Sequence, residues 1–416
     1  MNYQNIPGER LSKFHKIWEQ KGAPPSVQQI IKTGHRIQFE KSPPLTLPLK
    51  QYETFLSPTQ SLIVEQEIKE LVEKGALRVV SYSEAIKVPG LYSRVFVVPK
   101  PNGNHRVIIN MKPLNKFIVK ETFHMESEKE VRSLLEPGCW GSVIDLSDAY
   151  YLVSVDKRDR KYCRFIFQGK IYEYKALPMG LTESPRVFTR IARFAAGLIR
   201  KKGIKLVMYM DNLLVIAQTK QTCQSSVDTT IDILSELGFL LNHAKCNLSP
   251  STRFTYLGCI WDTQAWTVAV KPNREEKIRE TATHILQQEC VTYYKVAQFL
   301  GRVISTSGAI PLARGRSRAL QWQLAAAGCH SKQDYEQVMK LSLASREELK
   351  FWAELQSGIC SPITSATLPS ETVFTDSTEN GIGIYFHGDL ISEKIDTEFM
   401  NFHINVKELL YSSYWK

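Results

Sequence analysis

The 416-residue sequence predicts an α+β fold, because strand hairpins and amphipathic helices occupy separate stretches of the chain. Hairpins are indicated where apolar residues flank a short turn signal, at 101–103 and at 211–212. Helices are indicated by apolar residues at helical spacing, over 61–75, about 184–200, about 222–238 and most of 274–355. A chain of this length is expected to hold about two to four domains.

The first part of the chain, residues 1–60, is rich in proline and predicts an extension that wraps a larger body. One short amphipathic helix is expected in it, from the apolar residues Leu11, Phe14, Ile17 and Trp18. The helix over 61–75 should end at Gly75, because glycine readily takes the positive φ of a C-cap. Its apolar face would consist of Leu62, Ile68, Leu71 and Val72.

Strand candidates follow along the middle of the chain. "GSVIDLS" and "YCRFIF" lie within 141–175, while "FTYLGCIWD" and "WTVAVKP" predict a further small β unit. The stretch "SGICSPITSATLPS" (357–370) is a linker by composition, and the strand-rich "TVFTDSTENGIGIYF" follows it. The clearest domain boundary is therefore expected between 266–368 and 369–416.

Composition and charge limit the classes of function that this chain is expected to have. The formal net charge of +11 and a pI near 9.1 predict a polyanionic partner. No run approaches the roughly 20 apolar residues that a bilayer requires, and the N-terminus lacks a secretory signal pattern. An intracellular protein without membrane contact is expected, in the cytoplasm or the nucleus. The eight cysteines are scattered, which argues against structural zinc and a disulfide framework.

Two carboxylates lie in unusually apolar surroundings. Asp145 ends the strand of Ser142, Val143 and Ile144, and Asp211 interrupts the apolar run "VMYMDNLLVIA" (207–217). A buried carboxylate is costly to ionise without a cation nearby. Carboxylates at the ends of adjacent strands would suit Mg²⁺, which binds oxygen ligands and phosphate substrates. Taken singly, each aspartate is better explained as a turn or cap residue.

Six stretches in order resemble the reverse transcriptases of retrotransposons. They are "VPKPNGNHRVIINMKPLNK" (98–116), "VIDLSDAYYLVSVD" (143–156), "YKALPMGLTESPRVFTRI" (174–191), "YMDN" (209–212), "LGFLLNHAKCNLSP" (237–250) and "YLGCIWD" (256–262). The opening "GERLSKFHKIW…IIKTGHRIQFEKSPP" and the late "HINVKELL" resemble the DIRS group, which uses a tyrosine recombinase.

The resemblance implies a right-hand polymerase and its ligands. Fingers and palm would span 61–265, a helical thumb, connection and linker 266–368, and an RNase H-like start 369–416. The implied reaction is RNA-directed DNA synthesis with Mg²⁺ or Mn²⁺. The implied partners are an RNA template, a DNA primer or hybrid, and deoxynucleoside triphosphates. A recombinase and the remainder of an RNase H would be neighbours in a polyprotein.

The family's functional residues can be carried over where this sequence matches them. Asp145, Asp211 and the Leu146 carbonyl would hold the metal ions, and Lys245 would protonate the leaving pyrophosphate. Tyr150 would exclude a ribose 2′-OH. The nucleotide would otherwise contact Lys100, Arg106, Asp148, Met179 and Gly180. "YLGCIWD" would be the primer grip, with Tyr256, Leu257 and Gly258 at the nucleic acid.

A basic helix face predicts nucleic-acid binding without the family. Between Ser184 and Met210 there is no acidic residue, whereas Arg186, Arg190 and Arg193 recur at helical spacing. A solvated helix face normally mixes signs, so this face is interpreted as a phosphate-tracking surface.

Asn212 departs from the family pattern, because the hairpin normally reads Tyr-x-Asp-Asp. An amide offers an oxygen but no charge, so the site would lose one of three negative charges. Near a divalent ion each such charge contributes several kcal/mol even at an effective dielectric of about 20. The resemblance thus implies a catalytic set of Asp145, Asp211, Asn212 and Lys245, whose turnover Asn212 leaves uncertain. The alternative is an inactive remnant that only binds nucleic acid.

The C-terminal stretch resembles the beginning of an RNase H domain. Asp376 lies at a strand end and Glu408 on a helix, as two metal-binding carboxylates of that fold would. Because the sequence stops at Lys416, further strands and another acidic ligand are expected to be missing, and RNase H activity is not expected.

Overall fold

A computed structural model describes residues 6–99, 105–329, 332–363, 374–379, 381–386, 388–395, 400, 403–404 and 406. The chain separates into two compact units, Met1–Ile363 and Thr364–Lys416. No helix among the described residues is long and apolar enough to cross a membrane.

The helices of the described residues include those predicted by periodicity. In chain order they are α1 (His15–Gln20), α2 (Pro25–Thr33), α3 (Pro58–Glu73), α4 (Tyr82–Lys87), α5 (Lys112–Asn115), α6 (Glu128–Leu134), α7 (Ser184–Arg200), α8 (Lys220–Glu236), α9 (Pro272–Leu286), α10 (Tyr293–Ile304), α11 (Arg318–Ala326), α12 (Lys332–Glu336) and α13 (Leu343–Ala353). Helix α3 begins at a Ser57–Gln60 capping box, in which two otherwise unsatisfied backbone donors gain partners.

The strands form several separate antiparallel sheets, apart from one parallel pair. They are β1 (Leu77–Val80), β2 (Tyr92–Ser93), β3 (Val95–Pro99), β4 (His105–Ile109), β5 (Trp140–Asp145), β6 (Arg164–Phe167), β7 (Lys170–Tyr174), β8 (Lys205–Tyr209), β9 (Asn212–Ala217), β10 (Asn247–Ser251), β11 (Arg253–Tyr256), β12 (Cys259–Asp262), β13 (Thr267–Val270), β14 (Cys290–Thr292), β15 (Val338–Lys340), β16 (Cys360–Pro362), β17 (Phe374–Ser377), β18 (Gly381–Phe386) and β19 (Asp389–Lys394). The parallel pair is β2 with β6.

The central sheet has the order β10-β5-β9-β8 and is buried on both faces. Leu213 and Val215 belong to one apolar cluster, with α7 and α8, whereas Leu214 and Ile216 belong to a second cluster. Successive side chains of a strand point to opposite faces. A strand covered on both sides therefore shows a continuous apolar run, as seen in the sequence of β9.

The N-terminal extension is part of the main core. Leu11, Trp18 and Ile31 are buried in the same cluster as residues of α7 and α8, and Trp18 Nε1 donates to the Leu237 carbonyl at 2.9 Å. The expected single amphipathic helix is a short 3₁₀ turn, Arg10–Phe14, followed directly by α1. The extension thus packs into the body, where a surface wrap was expected.

Two β layers lie within the range 61–265. One sheet has the order β1-β7-β6-β2, and β3 pairs with β4 as a hairpin. That hairpin confirms the prediction for 95–110, although its turn at 101–103 lies outside the described residues. A buried ion pair, Arg164 Nε to Glu173 Oε2 at 2.7 Å, crosses between β6 and β7.

The region after the central sheet combines one sheet with a helical cluster. Strands β11-β12-β13-β16 form a meander extended by a late strand, which includes the small β unit predicted from sequence. Helices α9, α10, α11 and α13 pack on one another around Phe299 and Trp352, which confirms the mostly helical expectation for 274–355. Taken by itself, the second unit is a three-stranded antiparallel sheet, β17-β18-β19.

Candidate active site

Asp145 and Asp211 lie side by side at one end of the central sheet. Strand β5 ends at Asp145, which pairs in register with Asn212 of β9. The Leu146 N–H donates to the Asp211 carbonyl at 2.7 Å, which ties the two backbone segments together. Asp145 is 6% exposed and its Oδ1 has no hydrogen-bond partner. A buried carboxylate oxygen without a partner is costly, so a cation at this point would offset the cost.

The hairpin turn that carries Asp211 differs by one residue from the predicted turn. Tyr209 pairs with Asn212, so the tip consists of Met210 and Asp211, and Asn212 already belongs to β9. The positive φ predicted for Asp or Asn is taken by Met210, at 55°. A positive φ at the first central residue alone is the pattern of a type II′ turn. The turn therefore places Asp211 at the tip between two paired strands, and the backbone of Met210 is strained by its positive φ.

The electrostatics of Asp145 follow from its burial. Burial is the main cause that raises its pKa, and the negative charge of Asp211 raises the pKa further. The positive charge of Lys245 and a hydrogen bond from Asn242 oppose this rise. Lys245 is exposed and thus reaches the site electrostatically from the surface.

Asn212 occupies the position of the missing third carboxylate. Its Nδ2 lies 3.3 Å from Asp211 Oδ1 and donates a weak hydrogen bond to it. Its backbone carbonyl accepts a hydrogen bond from the Tyr256 hydroxyl at 3.1 Å. The site therefore contains two carboxylates, and the amide constrains one of them without adding charge.

Tyr150 lies directly beside the hairpin. Its hydroxyl is 4.0 Å from the Met210 sulfur, and its ring meets Phe188 edge-on at 6.0 Å. Burial, with a smaller contribution from the charge of Asp211, raises the pKa of Tyr150 to about 12. A neutral, half-buried ring at this position is a rigid steric wall next to Asp211.

Asp148 makes an ion pair that the sequence did not suggest. Its Oδ1 lies 2.9 Å from Lys74 Nζ, and Ser147 Oγ donates to its Oδ2 at 3.0 Å. Asp148 has a positive φ of 53°. Lys74, at the C-cap of α3, is thus a site residue missed by sequence reasoning. It lies outside the six stretches, so no sequence signal indicated it.

The remaining nucleotide-contact candidates occupy exposed positions. Arg106 is exposed on β4, and Met179 is 58% exposed. Gly180 has a φ of 89°, and its carbonyl accepts from Asn115 Nδ2 at 2.8 Å. A side chain would strain this backbone, which explains the glycine. Lys100 lies outside the described residues.

The predicted primer grip is the β11–β12 hairpin. Its turn residues Leu257 and Gly258 have φ values of 50° and 81°, which is the φ pattern of a type I′ turn. The Tyr256 side chain is only 2% exposed, so it cannot itself reach nucleic acid, contrary to expectation. Alternation along β11 buries Tyr256 beneath the Asp211 hairpin, where its hydroxyl also lies 3.3 Å from the Val207 carbonyl.

The basic face of α7 is partly neutralised by acidic residues outside the helix. Arg186 pairs with Glu121 at 2.5 Å and with Glu183 at 2.7 Å, whereas Arg190 and Arg193 are exposed. The sequence shows no acid within this stretch, but the fold brings acids from other segments. The expected uniform cationic surface is therefore reduced to its outer arginines.

Of the two predicted RNase H-like carboxylates, the structure describes Asp376. Asp376 lies on β17, pairs with Gly383 of β18 and is exposed. Glu408 lies outside the described residues.

Comparisons with known proteins find similarity to reverse transcriptases. Residues 98–261 match the family model "Reverse transcriptase (RNA-dependent DNA polymerase)". The Tf2-7 and Tf2-3 transposon polyproteins of Schizosaccharomyces pombe (strain 972 / ATCC 24843) are each 25% identical to the chain over 205 residues. That match covers 49% of this chain and 15% of each polyprotein, so the chain spans a small part of the relatives' length.

The fold is similar to solved retroviral enzymes. The foamy viral protease-reverse transcriptase in complex with RNA/DNA hybrid has a TM-score of 0.62 at 15% identity, covering 97% of this chain and 55% of that one. The same enzyme in complex with dsDNA gives 0.61 at 17% identity, covering 97% and 85%. The right-hand polymerase architecture with mixed helices and strands is thus confirmed. Residues 98–261 are thus similar to reverse transcriptases, and about half of the chain is similar to part of retrotransposon polyproteins.

Proposed function

We propose that this chain is an RNA-directed DNA polymerase that adds deoxynucleotides to a primer 3′-OH. The observation that carries the proposal is the pairing of Asp145 with the Asp211 hairpin, which gathers two carboxylates at one sheet end. The partners would be an RNA template, a DNA primer and deoxynucleoside triphosphates. The related foamy viral enzyme, solved with an RNA/DNA hybrid, supports this choice of partner.

The acidic pair fits a divalent cation. Mg²⁺ or Mn²⁺, when bound, would supply charge neutralisation for the attacking and leaving oxygens. Asp145, Asp211 and the Leu146 carbonyl would hold it, because all three offer oxygen ligands. The unpartnered Asp145 Oδ1 is the observation that supports the fit. Lys245, whose charge already acts on Asp145, would donate a proton to the departing pyrophosphate.

Nucleotide selection would depend on the residues around the hairpin. Tyr150 would form the wall against a ribose 2′-OH, and Gly180 would allow the base pair to approach the backbone. Lys100, Arg106 and Asp148 would contact the triphosphate and sugar, and Met179 would lie beneath the base. Leu257 and Gly258 would support the primer. Release of Asp148 from Lys74 would accompany nucleotide binding.

A second candidate function is nucleic-acid binding without catalysis. Asn212 favours it, because the site has two negative charges in place of three. Loss of about 1.4 kcal/mol of transition-state stabilisation slows a reaction tenfold, and the missing charge affects a divalent ion at close range.

Primer extension on an RNA template separates the two candidates. The native chain, Asn212→Asp and Asp145→Asn would be compared, with Asp232→Asn, exposed on α8, as a control carboxylate outside the site. Extension by the native chain that Asp145→Asn abolishes supports the polymerase. Extension only by Asn212→Asp supports an inactive natural form. If neither extends a primer although hybrid is bound, the polymerase proposal is wrong.

The finer assignments belong to the same proposal. We assign 1–60 to an extension, 61–265 to fingers and palm, 266–368 to thumb, connection and linker, and 369–416 to an RNase H-like start. The antiparallel β17-β18-β19 sheet, with Asp376 on its first strand, supports the last assignment. The DIRS-like opening of the extension supports membership of that subgroup, with polyprotein neighbours that include a recombinase.

A further inference from the structure

Residues 7–9 of the N-terminal extension form a strap that joins two segments of the proposed nucleotide pocket. The Gly8 N–H donates to the Lys74 carbonyl at 2.8 Å, at the end of α3. The Glu9 N–H donates to the Tyr151 carbonyl at 2.9 Å, in a 3₁₀ turn after β5. Two consecutive backbone donors of the strap thus hold segments that lie far apart in the sequence.

The contact between the strap and the end of α3 leaves no room for a side chain. A Cβ on Gly8 would meet the carbonyl carbon and oxygen of Gly75 at 2.3 Å and the Lys74 oxygen at 2.6 Å. These are backbone atoms, which cannot rotate away as the end of a side chain can. Pro7 and Gly8 are both buried. The strap therefore lies in a close backbone contact that only glycine at this position allows.

The Glu9 side chain anchors the other end of the strap. Its Oε1 lies 2.5 Å from Arg160 Nη2, and its Oε2 lies 3.2 Å from Lys175 Nζ. Arg160 is buried and also donates through Nε to the Val155 carbonyl at 3.0 Å. Glu9 has a positive φ of 59°, which costs free energy and persists only where the surroundings enforce it. Ion pairs with the main body thus hold the strap in this conformation.

The turn that the strap holds carries the residue predicted to exclude a ribose. Asp148, at φ 53°, begins the turn, and its carbonyl accepts from the Tyr151 N–H at 2.8 Å. Tyr150 lies between them, with its hydroxyl 4.0 Å from the Met210 sulfur. The Asp148 carboxylate lies 2.9 Å from Lys74 Nζ. The ion pair and the strap therefore connect the same two segments, one through side chains and the other through the backbone.

We propose that the strap positions the turn that carries Tyr150 and thereby sets how strictly the pocket selects the sugar of the incoming nucleotide. This inference rests on the proposed polymerase function. Asp148 and Lys74 are partly exposed, and exposed ion pairs contribute little, so the strap is the firmer link. Its two hydrogen bonds use backbone groups of Gly8 and Glu9, and they persist when a nucleotide separates the ion pair. A steric wall discriminates well only when its supports fix its position.

Two variants test the strap, each with a matched control. In Gly8→Ala the added Cβ would displace the strap from the Gly75 backbone. Gly301→Ala, at an exposed α10 position where a Cβ has open space, is its control. Glu9→Gln weakens the ion pairs but keeps both backbone donors, so its effects should be smaller. Its control is Glu19→Gln, exposed on α1. Thermal melting would establish that every variant is folded.

Hydrogen exchange of the full chain measures whether the strap holds the turn. The amides of Tyr151, Leu152 and Val153 donate within the turn, so they report its opening. In Gly8→Ala they should exchange about fivefold faster, the fold-change that corresponds to the loss of one hydrogen bond. In Gly301→Ala they should exchange as in the native chain. Unchanged exchange in Gly8→Ala would overturn the inference.

Nucleotide selection is measured by equilibrium binding, which needs no turnover. The chain would be titrated with dCTP or CTP, in Mg²⁺, on a hybrid whose DNA primer ends in a dideoxynucleotide opposite a templating guanine. The ratio of the Kd for CTP to the Kd for dCTP should fall about fivefold in Gly8→Ala. In a Tyr150→Val background Gly8→Ala should leave this ratio unchanged, because the wall on which the strap acts is gone.

Two results would overturn the role in selection: a constant ratio despite faster exchange, or an equal fall in the Tyr150→Val background. Primer extension by the same preparations separates this inference from the main proposal. A chain that extends primers with a ratio that Gly8→Ala does not change overturns the strap alone. A chain that selects dCTP through the strap but never extends primers supports the strap and overturns the polymerase. A chain that binds neither nucleotide overturns both.

Discussion

At the scale of single residues, the proposed chemistry depends on a carboxylate kept almost dry. Asp145 is buried, lacks a partner for Oδ1 and lies beside a second carboxylate. Such a group is unfavourable in the free protein and becomes favourable when a cation is bound. Tyr150 forms a steric wall beside Asp211, and its hydroxyl lies near the Met210 sulfur. Met210 is strained, because it has a positive φ in the turn.

Replacing Tyr150 by valine should weaken sugar discrimination. A smaller side chain leaves space for a 2′-OH, so the preference for dCTP over CTP, measured as a ratio of kcat/KM, should fall at least about tenfold. Rates with dCTP should change less than rates with CTP. Tyr82→Val, at an exposed position on α4, is the control. An unchanged ratio would assign Tyr150 to packing alone.

A pH-dependent contribution to stability is expected from Asp156. Hydrogen bonds from Arg158, at 2.8 to 3.0 Å, lower the pKa of Asp156 to about 2. Because the folded pKa is depressed, the stabilisation is complete above the unfolded pKa near 3.9 and is lost as pH falls towards 2. Asp156→Asn should cost about 1–2 kcal/mol in urea unfolding at pH 6. The difference from the native chain should shrink below about pH 4; a constant difference would contradict it.

At the scale of elements, one tyrosine links two hairpins. Tyr256 of β11 lies beneath the β8–β9 hairpin, and its hydroxyl contacts the carbonyls of Val207 and Asn212. Tyr256 therefore fixes the position of the predicted primer grip relative to the turn that carries Asp211. The N-terminal extension is likewise linked to α7, because the ring of Trp18 lies 5.6 Å from the ring of Phe194.

Tyr256→Phe should slow catalysis by loosening this link. The hydroxyl contributes about 1 kcal/mol of hydrogen bonding, so kcat should fall about fivefold to tenfold while KM for the nucleotide changes little. A positioning role predicts this separation of kcat from KM, whereas a purely structural role predicts a lower melting temperature alone. Tyr294→Phe, exposed on α10, is the control for loss of a hydroxyl.

Trp18→Ala should destabilise the first unit strongly. A fully buried tryptophan leaves a large cavity, and such changes cost about 3–5 kcal/mol. Because Trp18 lies in the cluster shared with α7 and α8, the loss should appear in the main unfolding transition by chemical denaturation. Trp322→Ala, at a 70% exposed position, should change stability by less than about 0.5 kcal/mol. A separate, minor transition for Trp18→Ala would mean that the extension folds apart from the body.

At the scale of the whole molecule, net charge and its distribution set the expected partner. The formal charge of +11 comes from the full sequence, but acids contributed by distant segments neutralise several arginines and lysines, as at Arg186 and Arg200. Arg190 and Arg193 of α7 stay exposed. Net charge predicts the class of partner, and the fold selects the surface that binds it.

Affinity for an RNA–DNA hybrid should fall steeply with salt. Each neutralised phosphate releases counterions, so several contacts should weaken binding at least about a hundredfold between 50 and 200 mM salt. Lys201→Gln with Lys202→Gln, exposed after α7, should flatten the slope of log K against log salt if the basic face tracks phosphates. Affinity that is independent of salt would exclude a phosphate-dominated interface.

The sequence alone determined the order of the elements and the family motifs. Periodicity located the long helices, and alternation located the hairpins, because both depend on neighbours close in the chain. The motifs identified Asp145 and Asp211 although 66 positions separate their numbers. The turn was misplaced by one residue, since local preference favoured Asp-Asn while the register of β8 with β9 placed Met210 at positive φ.

Only the tertiary structure decided which charges are paired and which side chains are buried. Lys74 reaches Asp148 across 74 positions, Glu183 lies between His35 and Arg186, and Tyr256 turns inward. Apart from Glu183 with Arg186, which lie three positions apart, these contacts leave no trace in local composition, because each depends on segments that approach only after folding. A cleft of about 460 Å³ beside Arg190 has the same origin, since one wall includes Gln29 and Arg36 and the other is formed by α7, which lie in distant parts of the chain.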